Sequence, residues 1–325
     1  MVLLLTQADI RPLAEDSSHL EGAFKAIEDS FREHLRGQAS LYAGSDLPLT
    51  GPQRTLRVLP SGSPANGAGL RLNPLVGRLD NPDSFVNLLF DGSNGQLLCL
   101  MAGDDINVVR TAVPAGVGAR YLAPDGARVV GMLGTGRQSR GQLIALKHAL
   151  PGIERVRVYS PTKDHRTAYA EEMTRRVGVP VEAVDNERLA AEGADVIGVT
   201  SNAKEPVLQP AWVRPGALVI SMSAGQIAPE VVLGSRVVVA SRPEVVESRR
   251  EPYRSLIADG RWSADGVAAT MAEVIEGQKP GRLSQDQTVL FEMPGMSVWD
   301  TAVMRWAYDW ALANELGSTF HLTTV

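Results

Sequence analysis

The chain has 325 residues, of which 44% are hydrophobic and 21% charged, with a formal net charge of −5 at pH 7. That length and apolar content suit a globular protein of two domains with a substantial core. The acidic balance and the lack of a basic run argue against a nucleic-acid partner; Arg249-Arg250 is short and flanked by Glu247 and Glu251.

Cys99 is the single cysteine, so an intrachain disulfide and a multi-cysteine metal centre are excluded. The opening MVLLLTQADIRPL carries no basic leader, and no apolar run approaches bilayer length. A cytoplasmic protein with no membrane role is the expectation.

In chain order, the first element is an amphipathic helix over His19–Leu35. Leu20, Ala23, Phe24, Ile27, Phe31 and Leu35 share one stripe, and Glu21, Lys25, Glu28, Asp29 and Arg32 lie off it. Residues 50–75 are expected to form short strands joined by a loop near Ser61–Gly69. Phe85–Phe90 and Gln96–Met101 flank Asp91-Gly92-Ser93-Asn94-Gly95, a hairpin signal. Cys99, between leucines, is expected to be a buried structural thiol. A helix is predicted over Thr111–Leu122 despite Pro114, Gly116 and Gly118, ending before Pro124, where a second domain begins.

The stretch GARVVGMLGTGRQS, residues 126–139, predicts a buried strand, a glycine turn and a helix. Gly134 permits the tight turn, and Gly136 lets backbone approach a pyrophosphate at a helix N-terminus. Ser139 is small where that helix must pack on the sheet. Gly134, Thr135, Gly136, Arg137, Gln138 and Ser139 are therefore candidate dinucleotide-binding residues. Such a string is weak alone, but alternating elements follow it. Strands are expected at Arg128–Leu133, Arg155–Tyr159, Val181–Val184, Val196–Thr200, Leu218–Met222 and Val237–Ala240. Helices are expected at Gln138–Leu150, Asp164–Val177 and Glu187–Ala191. This is the order of an α/β, Rossmann-type parallel sheet. A last helix is predicted over Trp299–Leu316.

NAD sites place an acid at the tip of the second strand, where it bonds the ribose hydroxyls. Here the tip reads Ser160-Pro161-Thr162-Lys163. Ser160, Thr162 and Lys163, with Arg166 and Arg137 in reach, suit a 2′-phosphate. NADP is expected ahead of NAD, with NAD left open because Asp164 is close. Thr200 and Ser201, and Ser221, Met222 and Ser223, stand at later strand ends and are candidate lining residues of the same cleft.

Val109-Arg110-Thr111-Ala112 follows LLFDGSNGQLLCLMAGDDIN, and YLAPDGARVVGMLGTGRQSRGQL, VRVYSPT and GRLSQDQTVLF come after it. In this order and spacing they resemble the ornithine cyclodeaminase/mu-crystallin family over about residues 40–315. The resemblance implies a dimer in which a discontinuous α+β substrate and dimerisation domain, 1–122 with 295–325, joins a central NAD(P)-binding domain, 123–294. It places Arg54, Arg71, Arg110 and Thr111 at the substrate. Arg71 stands where relatives commonly carry lysine. Arginine keeps its proton and is a poor general base, though several guanidinium groups suit a carboxylate.

The cyclodeaminases also carry an aspartate in the loop after Ser223, where this chain reads Ala224-Gly225-Gln226, and Glu230 further on is expected to be structural. What the resemblance then implies is NAD(P)H-dependent reduction of a carboxylate-bearing imine or ketimine, or the reverse oxidation of an amino acid. A cyclodeaminase-type lyase and a noncatalytic NADP-binding protein of the mu-crystallin kind remain alternatives. No catalytic acid is assigned; Asp104 and Asp300 are candidates that read more readily as structural. The expected partners are a small imino or amino acid and a second copy of the chain.

Overall fold

The computed structural model describes residues 1–42, 44–50, 55–75, 85–223, 225–246 and 250–323. Arg54, expected at the substrate, lies outside the described residues, as do Ala224 and Arg249. The chain forms two compact units, Met1–Arg110 with Met296–Val325, and Thr111–Gly295.

The first unit holds strands β1 (Val2–Leu5), β2 (Ser40–Leu41), β3 (Ser45–Pro48), β4 (Thr55–Ser63), β5 (Gly67–Leu75), β6 (Val86–Phe90) and β7 (Leu97–Ala102). A C-terminal strand, Ser318–Phe320, pairs antiparallel with β1, which lies parallel to β7. The remaining order is β7-β6-β5-β4-β2, all antiparallel, with β3 also on β4. The expected β6/β7 hairpin is present; Asp91 Oδ1 accepts from the Ser93 backbone N–H at 2.7 Å and closes its turn.

The Leu20–Leu35 helix buries the anticipated Leu20, Ala23, Phe24, Ile27 and Phe31. Phe31 meets Trp299 of the Ser297–Ala313 helix edge to face at 5.5 Å. That second helix lies on β4 and β5, where Ser61 Oγ bonds Thr301 Oγ1 at 2.5 Å. Neither β1 nor its C-terminal partner was anticipated: four and three residues carry little periodic signal, and their pairing partners are remote in sequence.

The helix expected over Thr111–Leu122 begins earlier, at Gly103. Asp104 and Asp105 in its first turn complement the helix dipole, and Arg110 stands within the helix rather than just before it. Gly118, which weakened the helical expectation, is there for contact. A Cβ at that position would come 2.4 Å from the Phe291 ring.

The second unit is a sheet of eight strands among the described residues: β8 (Val129–Leu133), β9 (Arg155–Tyr159), β10 (Val181–Ala183), β11 (Val196–Val199), β12 (Leu218–Ser221), β13 (Arg236–Val239), β14 (Val267–Thr270) and β15 (Val289–Glu292). The order is β10-β9-β8-β11-β12-β15-β13-β14, and every neighbouring pair is parallel. β11, β12 and β15 are buried at every position, the mark of strands covered on both faces.

From β8 the chain steps outward to β9 and β10, then returns to the far side of β8 at β11. That reversal opens a crevice at the carboxyl ends of β8 and β11, the place where doubly wound sheets take ligands. Among the described residues, no helix is long and apolar enough to cross a membrane, and no cluster of His, Cys, Asp and Glu could hold a metal ion.

Candidate functional site

In the second unit the glycine turn sits at that crevice. Gly134 follows β8 with φ +122°, a conformation that disfavours any side chain. A Cβ there would also lie 2.7 Å from the Thr200 carbonyl oxygen. Its N–H donates to the Tyr159 carbonyl at 2.8 Å, and the Thr200 N–H donates to the Leu133 carbonyl at 2.9 Å. The turn is thereby tied to both flanking strands, and Thr200 is brought beside it.

Gly136 caps the Arg137–Ala149 helix without a side-chain bond, and a Cβ on it would meet nothing within 4 Å. The first-turn Gln138 keeps a buried Oε1 with no partner among the described residues. Open space over unsatisfied helix-end N–H groups, with an amide oxygen waiting beside it, fits a pyrophosphate and ribose. Ser139 differs from its neighbours. It is fully buried, and its hydroxyl donates to the Gly134 carbonyl at 2.7 Å and meets Tyr169 at 3.0 Å, holding the turn from beneath.

At the tip of β9, the Thr135 hydroxyl donates to Ser160 Oγ at 3.0 Å, joining the glycine turn to the next loop. Arg166 is buried and already engaged. Its Nη1 donates to the Ser160 carbonyl at 3.1 Å and its Nη2 to Asp185 at 2.8 Å, so it shapes the loop. Thr162 and Lys163 are exposed at the start of the next helix. No acid occupies positions 160–163.

Beyond the switch point, Ser201 Oγ accepts from the Ala203 N–H at 2.9 Å, and its carbonyl accepts from buried Gln226, which links the loops after β11 and β12. Ser221 ends β12, Met222 Sδ accepts from Gln142 at 3.2 Å, and the Ser223 carbonyl faces Ser221 Oγ at 3.5 Å. Glu292 ends β15 in register with Ser221. Burial pushes its carboxyl up to about 7, against the hydroxyls of Ser221 and Tyr253 and the Arg250 charge, which pull it down.

The first unit carries a separate buried polar cluster. On β5, Gly69, Arg71 and Asn73 alternate onto one face, and Asn87 of β6 stands opposite Arg71. Arg71 Nη1 reaches Asp300 Oδ1 at 3.2 Å, with its guanidinium 5.1 Å over the Phe85 ring. Arg110 Nε reaches the same oxygen at 3.2 Å and also donates to Asn107 Oδ1 at 3.0 Å. Burial lowers the Arg110 pKa to about 10, with Asp300 raising it and Arg71 lowering it further; it stays charged at neutral pH.

Asp300 is therefore a shared counter-ion, and these three side chains sum to one positive formal charge. Arg71 Nε, Asn73 Oδ1 and both amide atoms of Asn87 have no partner among the described residues. Buried polar atoms without partners are rare in finished cores. The structure thus brings Arg71 and Arg110 together. Thr111, the next residue on the helix, is buried.

Asn73, Asn87 and Glu292 were not singled out from the sequence. The signal was there: a polar residue in step with inward-facing positions of a strand, or closing an otherwise apolar one. Cys99 is buried as expected, its thiol pushed up to about 12 by burial. Glu230 is exposed and pairs with Arg261 at 3.2 Å.

The model of the ornithine cyclodeaminase/mu-crystallin family matches residues 7–315. Delta(1)-pyrroline-2-carboxylate reductase of Bacillus cereus is 27% identical over 335 residues, covering 98% of this chain and 99% of that protein. The same-named enzyme of Thermococcus litoralis, solved with NADH and L-proline, superposes with a TM-score of 0.88 at 26% identity, covering 98% of this chain and all of that one. An archaeal alanine dehydrogenase dimer with bound NAD gives 0.85 at 25% identity, with 99% of each chain covered.

Proposed function

Because the chain belongs to the ornithine cyclodeaminase/mu-crystallin family, we propose that it is a nicotinamide-dependent reductase of a small imine or ketimine bearing a carboxylate, able to run in reverse on an amino acid. The observation that carries this reading is the Arg71–Asp300–Arg110 cluster, with its residual positive charge and unpartnered asparagine amides. A monoanionic carboxylate matches that charge, and a planar guanidinium binds it through paired hydrogen bonds. Arg71, Arg110 and Asn87 would hold the substrate, with Thr111 behind them and Arg54 as a further cation. The relatives' substrates, a pyrroline carboxylate and an amino acid, have this chemistry.

The coenzyme would be held by Gly134, Thr135, Gly136, Arg137 and Gln138 at the helix N-terminus. Ser139 would support the turn, and Thr200, Ser201, Ser221, Met222 and Ser223 would line the later strand ends. When bound it supplies the hydride; the chain contributes placement and charge. We assign NADP as the preferred form, since Ser160, Thr162 and Lys163 offer hydroxyls and a cation where an acid would favour NAD. Residues 1–122 with 295–325 would form the substrate and dimerisation domain and 123–294 the coenzyme domain, in a cytoplasmic homodimer.

The test is a turnover screen at the nicotinamide absorbance. NADPH and NADH are each paired with cyclic imine carboxylates and with 2-oxo acids plus ammonia or amines. Oxidation of NADPH by a carboxylate-bearing imine supports the reading. Coenzyme binding without turnover across the panel overturns it.

A further inference from the structure

We propose that Glu292 is a proton-holding group at the nicotinamide half of the coenzyme site, passing between acid and carboxylate as the bound coenzyme changes redox state. This rests on the coenzyme reading above. In a doubly wound sheet the two halves of a dinucleotide lie on either side of the switch point. The exposed phosphate-side loop after β9 occupies one side, which leaves β11, β12 and β15 to the other. Glu292 stands at the carboxyl end of β15 beside Ser221 of β12, 6% exposed, after the wholly apolar Val289-Leu290-Phe291.

No cation within 4.0 Å pairs with Glu292 among the described residues. Among the described residues, the groups that face it are the Tyr253 phenol from the Tyr253–Ala258 helix, Arg250 and Glu251 from the segment before it, and the Ser221 hydroxyl. Glu251 is engaged with Arg254 and Ser255, and Val239, opposite on β13, brings no charge. Tyr253 is 3% exposed, and its hydroxyl completes no regular hydrogen bond among the described residues. A cavity of about 10 Å³ lies between them, the lower limit for one water.

A buried carboxyl without a close cation partner is costly as an anion and tolerable as an acid. The oxidised nicotinamide ring carries a positive charge and the reduced ring none. A carboxylate nearby favours the first and an acid the second. Reduction of a C=N bond puts a hydride on carbon and a proton on nitrogen. A proton leaving Glu292 balances the one the nitrogen takes and leaves an anion facing the new ring charge.

The experiment measures the dissociation constants of oxidised and reduced coenzyme by fluorescence titration between about pH 5 and 9. It uses the full-length protein and the Glu292→Gln and Tyr253→Phe variants. In the unaltered protein the oxidised-to-reduced ratio of dissociation constants should fall as pH rises. The fall is about tenfold for each unit by which the Glu292 pKa differs between the two complexes. Glu292→Gln should make the ratio flat. Tyr253→Phe should keep the change and move its midpoint upward, because the phenol favours the anion.

A flat ratio in the unaltered protein, or the same slope in Glu292→Gln, overturns the proposal while coenzyme binding stands. If Glu292→Gln does not fold, an unmoved midpoint in Tyr253→Phe overturns it instead. Failure of the folded, unaltered protein to bind either form defeats the coenzyme reading itself.

Discussion

Arg71 reaches from the centre of a sheet to Asp300 on a helix contributed by the far end of the chain, with Nη1 3.2 Å from Oδ1 of a carboxylate only 2% exposed. Arg110 uses the same oxygen. Removing Asp300 leaves two buried guanidinium groups facing each other without the carboxylate they share. Asp300→Ala should therefore lower the unfolding free energy by about 3 kcal/mol, measured by urea denaturation. A change under about 0.5 kcal/mol, typical of an exposed pair, would show that solvent already screens the cluster.

Asn87 gives a contrasting case. Its amide atoms have no partner among the described residues, so the fold gains nothing from their polarity. Asn87→Leu should leave thermal stability unchanged or slightly raised. If the amide meets the substrate, KM for the carboxylate-bearing imine should rise by about tenfold or more. An unaltered KM would remove Asn87 from the binding site.

Coenzyme preference should follow position 163. Lys163→Asp places an anion beside any 2′-phosphate and restores an acid near the tip of β9. NADPH affinity should fall by about tenfold or more, while NADH affinity holds or improves. Parallel losses for both coenzymes would show that Lys163 does not distinguish them.

Glu292 also imposes a pH dependence on stability. Its pKa is raised from 4.5 to about 7 in the folded chain, so between those values the native state keeps a proton that the unfolded state has lost. Stability should decline as pH rises through this window, by about 3 kcal/mol in total for this group. The contribution is intact below pH 4.5 and levels off above 7. Glu292→Gln should flatten that part of the curve, read from unfolding midpoints at a series of pH values.

The second unit was legible from β8 to β13 because those strands and the helices between them announce themselves locally. β-branched runs alternate with helical stripes, and the glycine turn marks the crevice. β14 and β15 escaped notice because VAAT is half alanine and VLFE, closing on a glutamate, lies between turn-rich stretches. In the first unit the hairpins could be read from their turns, whereas β1 is completed by pairings that no local pattern reveals. Arg71 and Arg110 were reached through a family likeness. Their shared counter-ion lies 229 residues from Arg71 along the chain, and only folding brings them together.

The split composition of the first unit has a consequence for biosynthesis. Met1–Arg110 must emerge from the ribosome without the helix and strand that complete its core, since these belong to Met296–Val325. At about 5–20 residues per second, translation of the intervening residues takes on the order of ten seconds or more. Through that interval Arg71 and Arg110 have no Asp300 to neutralise them, and Phe31 has no Trp299 to cover it. The nascent amino-terminal segment is thus the part of this polypeptide most in need of chaperone shelter, while Thr111–Gly295 holds all its own strands and can close first.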